Sequence, residues 1–424
     1  MSNTYPLRVG AWEEEKRIDI NFPQDWSVTF SPMEGHEAVP LMDEQMWKAF
    51  SNPIGCLPIH VAARGKHQIV ILFDDFTRPT PSHQIVPFIL EELRKAEIKD
   101  DQIRFVAAIG AHRPLDSREL VAKLGCSTVQ RFRVFSHNAF DHLVHVGTTT
   151  RGTRVLLNRE VANCDYKIGV GCVIPHLSAG FSGGGKLLSV GACGIETLLH
   201  SHLMVTRRGV LNGTKDPRAS TGKVEENPFR ADLDEAAQIA GLDIKVDAVI
   251  NGTRKIVGLF VGDPGAEYRT AVDFARTVYT THSTPGMDVI VANTYPVEGQ
   301  PEKASWAGEK YLRRGGTFVA IEMAACGHLP HYLIGRFGMN YGGPVWEPTR
   351  GCRIKEASRV LILSRYLSRV DKEWWGKDEN VVWCESWEQI LIELKKTHGK
   401  GTKVGIFPTA TIQCPPVFSS EGGR

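Results

Sequence analysis

The sequence is short of several things a chain of 424 residues often carries. No uninterrupted apolar run approaches the ~18 residues that a membrane-spanning helix needs, so no membrane partner is expected. The nine cysteines are scattered, odd in number and without a CxxC pair; reduced thiols fit this better than a disulfide framework or a structural zinc site. Neither sign of charge dominates, with 50 Lys and Arg against 48 Asp and Glu, which argues against a nucleic-acid or polybasic membrane binder. The opening residues, MSNTYPLRVGAWEEEK, lack the basic-then-apolar layout of a secretory signal, and a cytoplasmic location is the expectation. Internal repeats and low-complexity tracts are absent, and only the tail PPVFSSEGGR is expected to be loosely held.

What is present alternates short β-branched runs with amphipathic helices, the pattern of a layered α/β protein. Strands are expected at Gln68–Phe73, Ile103–Ala108 and Tyr166–Val173. Lys245–Asn251 and Ile256–Val261 are expected to form a hairpin. Ser82–Ala96 places Ile85, Phe88, Ile89 and Leu93 on one helical stripe, and a helix from Ala266 to about Tyr279 follows. The polar break at residues 281–288, THSTPGMD, is read as a domain boundary. Beyond it, strands are expected at Asp288–Ala292, Thr317–Ile321, Arg359–Leu363, Val381–Trp383 and Lys403–Phe407, with helices at Glu302–Arg314 and Trp387–Lys396. Two α/β domains with mixed or parallel sheets follow, residues 1–280 and 281–424, with the active site expected in the cleft between them.

The stretch PHLSAGFSGGGK, Pro175 to Lys186, approaches a phosphate-binding P-loop and then departs from it. A working P-loop carries Ser or Thr after the lysine to hold magnesium; Leu187 stands there instead. Pro175, His176 and Ser178 also interrupt the path from strand to glycines. A nucleoside triphosphatase is therefore disfavoured. Glycines 183 to 185 are read as allowing close approach of a bulky ligand, and Lys186 as an anion partner or a nucleophilic amine; a flexible turn with a solvated lysine is the plain alternative.

Three polar groups flank it. In ILFDDFTRPTP a strand ends in Asp74, Asp75, Thr77 and Arg78, where α/β sheets bind ligands. Arg78 suits a carboxylate or phosphate, with Asp75 orienting it or holding a ribose hydroxyl, unless the pair only caps the next helix. In AAIGAHRPL a strand delivers His112, a candidate for acid–base chemistry. His112 and His176, at comparable strand ends, suggest chemistry that treats both faces of a carbon alike, as racemisation does. His176, Lys186, His200 and His202 make an incomplete metal set, with no HExxH or carboxylate partner. A metal here needs other ligands, which an organic cofactor could supply. Cys172 and Cys193 are read first as small buried hydrophobes.

These residues carry a resemblance to the nickel-dependent lactate racemase family. It rests on DDFTRP (74–79), GAHRP (110–114), the run from Ser136 to Gly171 and PHLSAGFSGGGK (175–186). It continues through the G-x5-T-x4-H run from Gly191 to His202, VGDPGAEYRTA (261–271), Gln300-Pro-Glu-Lys303 and RRGGT (313–317), in order over nearly the whole chain. The resemblance implies a nickel pincer nucleotide, a pyridinium mononucleotide (pyridinium-3-thioamide-5-thiocarboxylic acid) that holds nickel through sulfur, carbon and sulfur, tethered to Lys186 and completed by His202 as metal ligand. It implies inversion at C2 of a 2-hydroxy acid by hydride transfer through a 2-keto acid, with His112 and His176 as the two general bases. Gln300 and Lys303 are implied to hold the substrate, Asp75 and Arg78 to lie near cofactor and substrate, and Thr77 at the cofactor phosphate. Cofactor-synthesis proteins are implied partners.

The chain departs from the family at Val190 (usually proline), Ser201 (usually asparagine) and Gly299 (commonly tyrosine). Gly299 is read as leaving room for a substrate larger than lactate, a sugar acid among the options, and Trp346 as a loose match to a pocket tryptophan. His200 has no family counterpart and is read as an exposed helical residue. The alternatives are a nickel-pincer oxidoreductase moving hydride between different hydroxy and keto acids, and a non-catalytic cofactor carrier.

Overall fold

The computed structural model describes residues 3–205, 216–347, 354–376 and 379–416. By its internal contacts the chain divides into a larger unit, residues 38–277 with 330–346, and a smaller one, residues 1–37, 278–329 and 347–424. This differs from two consecutive segments: residues 1–37 join the smaller unit and 330–346 return to the larger. One passage between units, at 277/278, lies next to the polar break expected at 281–288.

The larger unit is built on a six-stranded sheet in the order Ile256–Gly262, Ile244–Ile250, Tyr166–Cys172, Ile69–Asp74, Ile103–Ala108, Arg133–Ser136. All neighbours are parallel except the first pair, which forms the expected antiparallel hairpin. The runs are continuously apolar because both faces are covered; every residue of Ile69–Asp74 is buried. The helix Ser82–Lys95 lays Ile85, Phe88, Ile89 and Leu93 inward, as its stripe requires. From Ile69–Asp74 the chain winds outward through Ile103–Ala108 to Arg133–Ser136, then returns to the other side of its first strand with Tyr166–Cys172. The winding direction thus reverses between Ile69–Asp74 and Tyr166–Cys172, and the crevice beyond their carboxyl ends is where such sheets bind ligands.

The smaller unit repeats the device with six parallel strands, in the order Val381–Cys384, Ala357–Leu363, Leu312–Ile321, Met287–Asn293, Lys403–Phe407, Ser27–Phe30. Its reversal lies between Met287–Asn293 and Lys403–Phe407. An antiparallel hairpin, Thr4–Val9 with Lys16–Asn21, adds Leu7, Val9 and Ile20 to a core of Val289, Val291 and Ile406.

Two readings are corrected. The helix expected over Glu302–Arg314 is broken into short turns, Pro301–Ala304, Ser305–Gly308 and Glu309–Tyr311, and Leu312 already begins a strand. Gly308, a weak helix former, sits inside the segment and lies against the sheet, where a Cβ would stand 2.7 Å from Ile290 Cγ2. The short hairpin Leu143–Thr148 with Arg154–Asn158 was not expected at all. The tail beyond residue 416 falls outside the described residues. Among the described residues no helix is long and apolar enough to cross a membrane.

Candidate active site

The carboxyl end of Ile69–Asp74 delivers two aspartates with different fates. Asp74 is consumed by structure: Lys123 Nζ donates to its Oδ1 at 2.5 Å and Thr80 Oγ1 to its Oδ2 at 2.5 Å. Lys123 also donates to the Arg78 carbonyl at 2.9 Å, so this wholly buried pair pins the 74–80 turn. Asp75 faces the chemistry. Its Oδ2 accepts from His112 Nδ1 at 2.6 Å, and its Oδ1 accepts the Thr77 N–H at 2.9 Å and the Thr77 hydroxyl at 2.5 Å. Burial alone pushes this carboxyl up, but the charge and hydrogen bond of His112, the Thr77 hydroxyl and the Arg78 charge outweigh it and hold Asp75 well below the usual carboxylate range. Arg78 is half-buried, with Nη1 on the Thr77 carbonyl at 2.7 Å and on its hydroxyl at 3.1 Å. The Thr77 hydroxyl donates to Asp75 here.

His112 follows the neighbouring strand through Gly110, whose φ of +54° and closeness to the Val190 carbonyl (2.8 Å from a built Cβ) demand glycine. With Nδ1–H given to Asp75, the neutral imidazole keeps its basic lone pair on Nε2. His176 is arranged oppositely. It sits in a two-residue hairpin, Pro175–His176 with Gly180–Phe181, and its Nδ1 accepts the backbone N–H of Ser178 at 3.3 Å and Ala179 at 3.1 Å. The neutral ring then carries its proton on Nε2.

Lys186, 8% exposed, opens the one-turn helix Lys186–Ser189 after the glycines. Packing already demands these glycines. A Cβ at Gly183 would stand 2.7 Å from Asp247 Oδ2, and one at Gly184 2.6 Å from Arg230 Nη2. Asp247 Oδ2 accepts the Gly184 N–H at 2.6 Å and Arg230 donates to the Gly183 carbonyl at 3.0 Å. Lys245 Nζ in turn holds Asp247 Oδ1 at 2.5 Å, both side chains fully buried, and the Arg230 guanidinium lies 3.9 Å from the Tyr268 ring centre. Glu267 is buried beside this group; burial, the Asp247 charge and a hydrogen bond to Asp247 that only the protonated acid can donate push its carboxyl well above the usual range. Sequence reading missed this bracing, although Lys245 and Asp247, two charges in an otherwise apolar strand, were the visible signal.

His202 lies in the last turn of the helix Ile195–Leu203. Its Nδ1 donates to the Leu198 carbonyl at 2.7 Å, and its ring meets Phe229 edge-to-face at 5.3 Å. Burial, with smaller contributions from Lys186 and His112 against the Leu198 carbonyl, lowers it to about 4. A neutral imidazole with Nδ1 committed offers Nε2 as a ligand. Ser201 shares the Leu198 carbonyl at 3.0 Å. His200 is exposed and bonded to Thr153 at 2.7 Å, outside this group, as expected. Cys172 and Cys193 are buried and their thiols pushed up to about 12, first by burial, so neither is a thiolate near neutrality. Val190, where the family has proline, donates its N–H to the Lys186 carbonyl at 3.1 Å.

Gln300 and Lys303 lie in the smaller unit, just beyond the carboxyl end of Met287–Asn293 at that sheet's own reversal. Lys303 is 3% exposed and sits in the turn Pro301–Ala304, its N–H on the Gln300 carbonyl at 3.2 Å. Gly299 does not leave a void: a Cβ there would meet Leu329 Cδ1 at 2.8 Å. Gly299 therefore gives a substrate larger than lactate no added room. One further histidine, His331, went unread; it belongs to the larger unit and stacks edge-to-face on His112 at 4.9 Å.

Among the described residues no three His, Cys, Asp or Glu side chains gather as a metal site. Residues 14–211 match the family described as lactate racemase N-terminal domain. The chain is 33% identical over 294 residues to the lactate racemase of Lactiplantibacillus plantarum, covering 67% of each. To the lactate racemase of Thermoanaerobacterium thermosaccharolyticum it is 31% identical over 301 residues, covering 69% of each. The fold matches the lactate racemase apoprotein of T. thermosaccharolyticum with a TM-score of 0.74 at 21% identity, over 97% of this chain and 100% of that one. A Thermotoga maritima protein matches at 0.64 and 17%, over 88% and 98%. The chain therefore belongs to the lactate racemase family, a family of isomerases.

Proposed function

We propose that this protein inverts C2 of a 2-hydroxy acid, passing through the 2-keto acid, with a nickel pincer nucleotide as its cofactor. The observation that carries the reading is the Asp75–His112 pair, 2.6 Å apart, at the reversal of a doubly wound sheet whose other strand end leads to His176 and Lys186. The donor set fits the cofactor. His202 offers one nitrogen and Lys186 one amine, which suits a metal whose other bonds come from an organic ring. When bound, that nucleotide supplies a reversible acceptor for the C2 hydride.

The chain's own groups do the rest. His112 Nε2 takes the hydroxyl proton, and Asp75 steadies the imidazolium that results. Arg78 and Lys303 are cations for anionic groups of cofactor and substrate, with Gln300 beside Lys303. His176 works at the opposite face. Because its Nδ1 accepts two N–H groups, its neutral form meets the substrate oxygen as a donor, and it serves as a base only after its proton moves to Nδ1. A cytoplasmic setting suits a chain whose described cysteines are free thiols. Proteins that build the nucleotide are its expected partners.

Supplying cofactor-loaded enzyme with one pure enantiomer of lactate, then of longer 2-hydroxy acids, tests the reading. The mirror image should accumulate toward equal amounts for at least one of them. Build-up of the keto acid without the mirror image would favour net oxidation–reduction and contradict it.

A further inference from the structure

In the smaller unit, Glu322 and His328 have no part in the reaction as described so far. Glu322 directly follows the strand Leu312–Ile321 and is 2% exposed. Both its oxygens are claimed: Oε1 accepts the indole N–H of Trp375 at 2.7 Å, and Oε2 accepts Nε2–H of His328 at 3.0 Å. Trp375 is wholly buried among Phe318, Val360 and Ile362, so the carboxylate has a rigid backing. The chain returns to it through Gly327, whose φ of +64° is left-handed and whose N–H donates to the Ala324 carbonyl at 3.0 Å.

On its other side, His328 Nδ1 lies 3.8 Å from Oδ1 of Asp371, in the helix Arg369–Trp375. Asp371 is itself fixed, its Oδ2 accepting the N–H and the hydroxyl of Ser368, each at 2.9 Å. Burial lowers the pKa of His328, but the charge and hydrogen bond of Glu322 and the charges of Asp371 and Glu302 outweigh it. The ring therefore holds its proton more firmly than a free histidine. A buried pair of this kind adds little stability over apolar side chains of the same volume. What it adds is direction, since Glu322 leaves the imidazole one seat.

The next residue carries that seat to the turn assigned to substrate. Leu329 donates its N–H to the Gly299 carbonyl at 2.9 Å, and its side chain lies where a Cβ on Gly299 would meet Cδ1 at 2.8 Å. Gln300 and the turn Pro301–Ala304, with Lys303, follow at once. We propose that His328 is a positioning residue for Gln300 and Lys303: held between Glu322 and Asp371, it fixes Leu329, on which the segment from Gly299 to Lys303 rests. The proposal rests on reading Gln300 and Lys303 as the groups that hold substrate. The role is indirect, through Leu329.

The test sets His328→Leu, which removes the donor to Glu322, beside His328→Gln, which returns an N–H to the place of Nε2. In cofactor-free protein, hydrogen-exchange mass spectrometry should show the Leu329 amide exchanging about 10-fold faster in His328→Leu, as a locally released hydrogen bond does. In His328→Gln the rate should stay near that of the wild type. In the cofactor-loaded enzyme, with the 2-hydroxy acid that the wild type inverts, KM should rise about 10-fold in His328→Leu with kcat little changed, the mark of weakened substrate holding. His328→Gln should recover most of that KM, which a loss of packing alone does not predict. Glu322→Gln keeps the volume and an acceptor for Trp375 but gives His328 no second acceptor. It should show the same pattern more weakly, and it decides the matter if His328→Leu does not fold. Faster exchange with unchanged KM would overturn the proposal, as would unchanged exchange or a fall in kcat alone. Lys303→Met, run alongside, keeps the two readings apart. Unchanged KM there would sink Lys303 as a substrate holder and the proposal with it, while exchange at Leu329 would still show whether His328 seats the segment.

Discussion

The two units carry similar sheets and use them differently. Each has six strands and one reversal of winding, and each presents a crevice at that reversal. In the larger unit the strand ends deliver ionisable groups that are braced from behind: Asp75 by Thr77, the Lys186 loop by Asp247, Lys245 and Arg230. In the smaller unit the reversal itself carries neutral groups, Asn293 donating to the Arg8 and Pro408 carbonyls and Thr294 to the Ile321 carbonyl. The buried acids nearby are spent on structure, Glu298 accepting the Gly10 and Ala11 N–H groups and Glu322 the Trp375 indole N–H, with Lys303 buried after them. The difference teaches that a doubly wound sheet supplies a place, whereas bracing decides whether the place holds reactive groups steadily enough to use.

Substitutions that break the bracing should sharpen this contrast, beginning with the largest. Asp75→Asn preserves shape and removes the charge that steadies His112. Measured kcat should fall by about 10³-fold or more, as when the carboxylate of a base–carboxylate pair is neutralised, with Tm near the wild type. Asp247→Asn leaves Lys245 buried without its counter-charge. Chemical denaturation should report a loss of about 3–5 kcal/mol, and cofactor retention should fall with it. On the smaller unit, Gly299→Ala should cost about 1–3 kcal/mol from overpacking against Leu329, and Leu329→Ala placed on top should recover part of that. Were Gly299→Ala to leave stability unchanged while altering which hydroxy acids are accepted, the room argument rejected above would return.

The smallest effect concerns Glu267. Its folded pKa is raised, so its contribution to stability is full below the unfolded pKa of about 4.3 and is lost as pH rises toward the folded value. Glu267→Gln cannot ionise. Its Tm should match the wild type near pH 4.5 and exceed it increasingly toward pH 8. A constant difference across that range would mean that Glu267 does not titrate there.

Much of the fold was legible because both sheets use continuous apolar runs separated by polar turns. Ile69–Asp74, Tyr166–Cys172, Met287–Asn293 and Lys403–Phe407 all fall within a residue or two of where the pattern put them. The hairpins near residues 143–158 and 4–21 were hidden because their strands are only half covered and alternate weakly. The candidate groups at strand ends were legible as residue types. Their inequality was not, since whether an imidazole gives its Nδ1 proton to Asp75 or receives two backbone N–H groups depends on turns that periodicity does not encode. His331 was illegible for a related reason. It lies 219 positions from His112 in sequence, and only the return of residues 330–346 to the larger unit brings the two together.

The central claim is that the hydrogen on C2 leaves and returns as hydride while the chain's histidines handle only the hydroxyl proton. The most direct measurement uses one enantiomer carrying deuterium at C2, in ordinary water, with the cofactor-loaded enzyme. Both enantiomers are separated and their isotope content read by mass spectrometry. Deuterium should remain at C2 of the mirror-image product. Its replacement by solvent hydrogen at the rate of inversion would mean that a base removes the C2 proton, and the account given for His112 and His176 would be wrong.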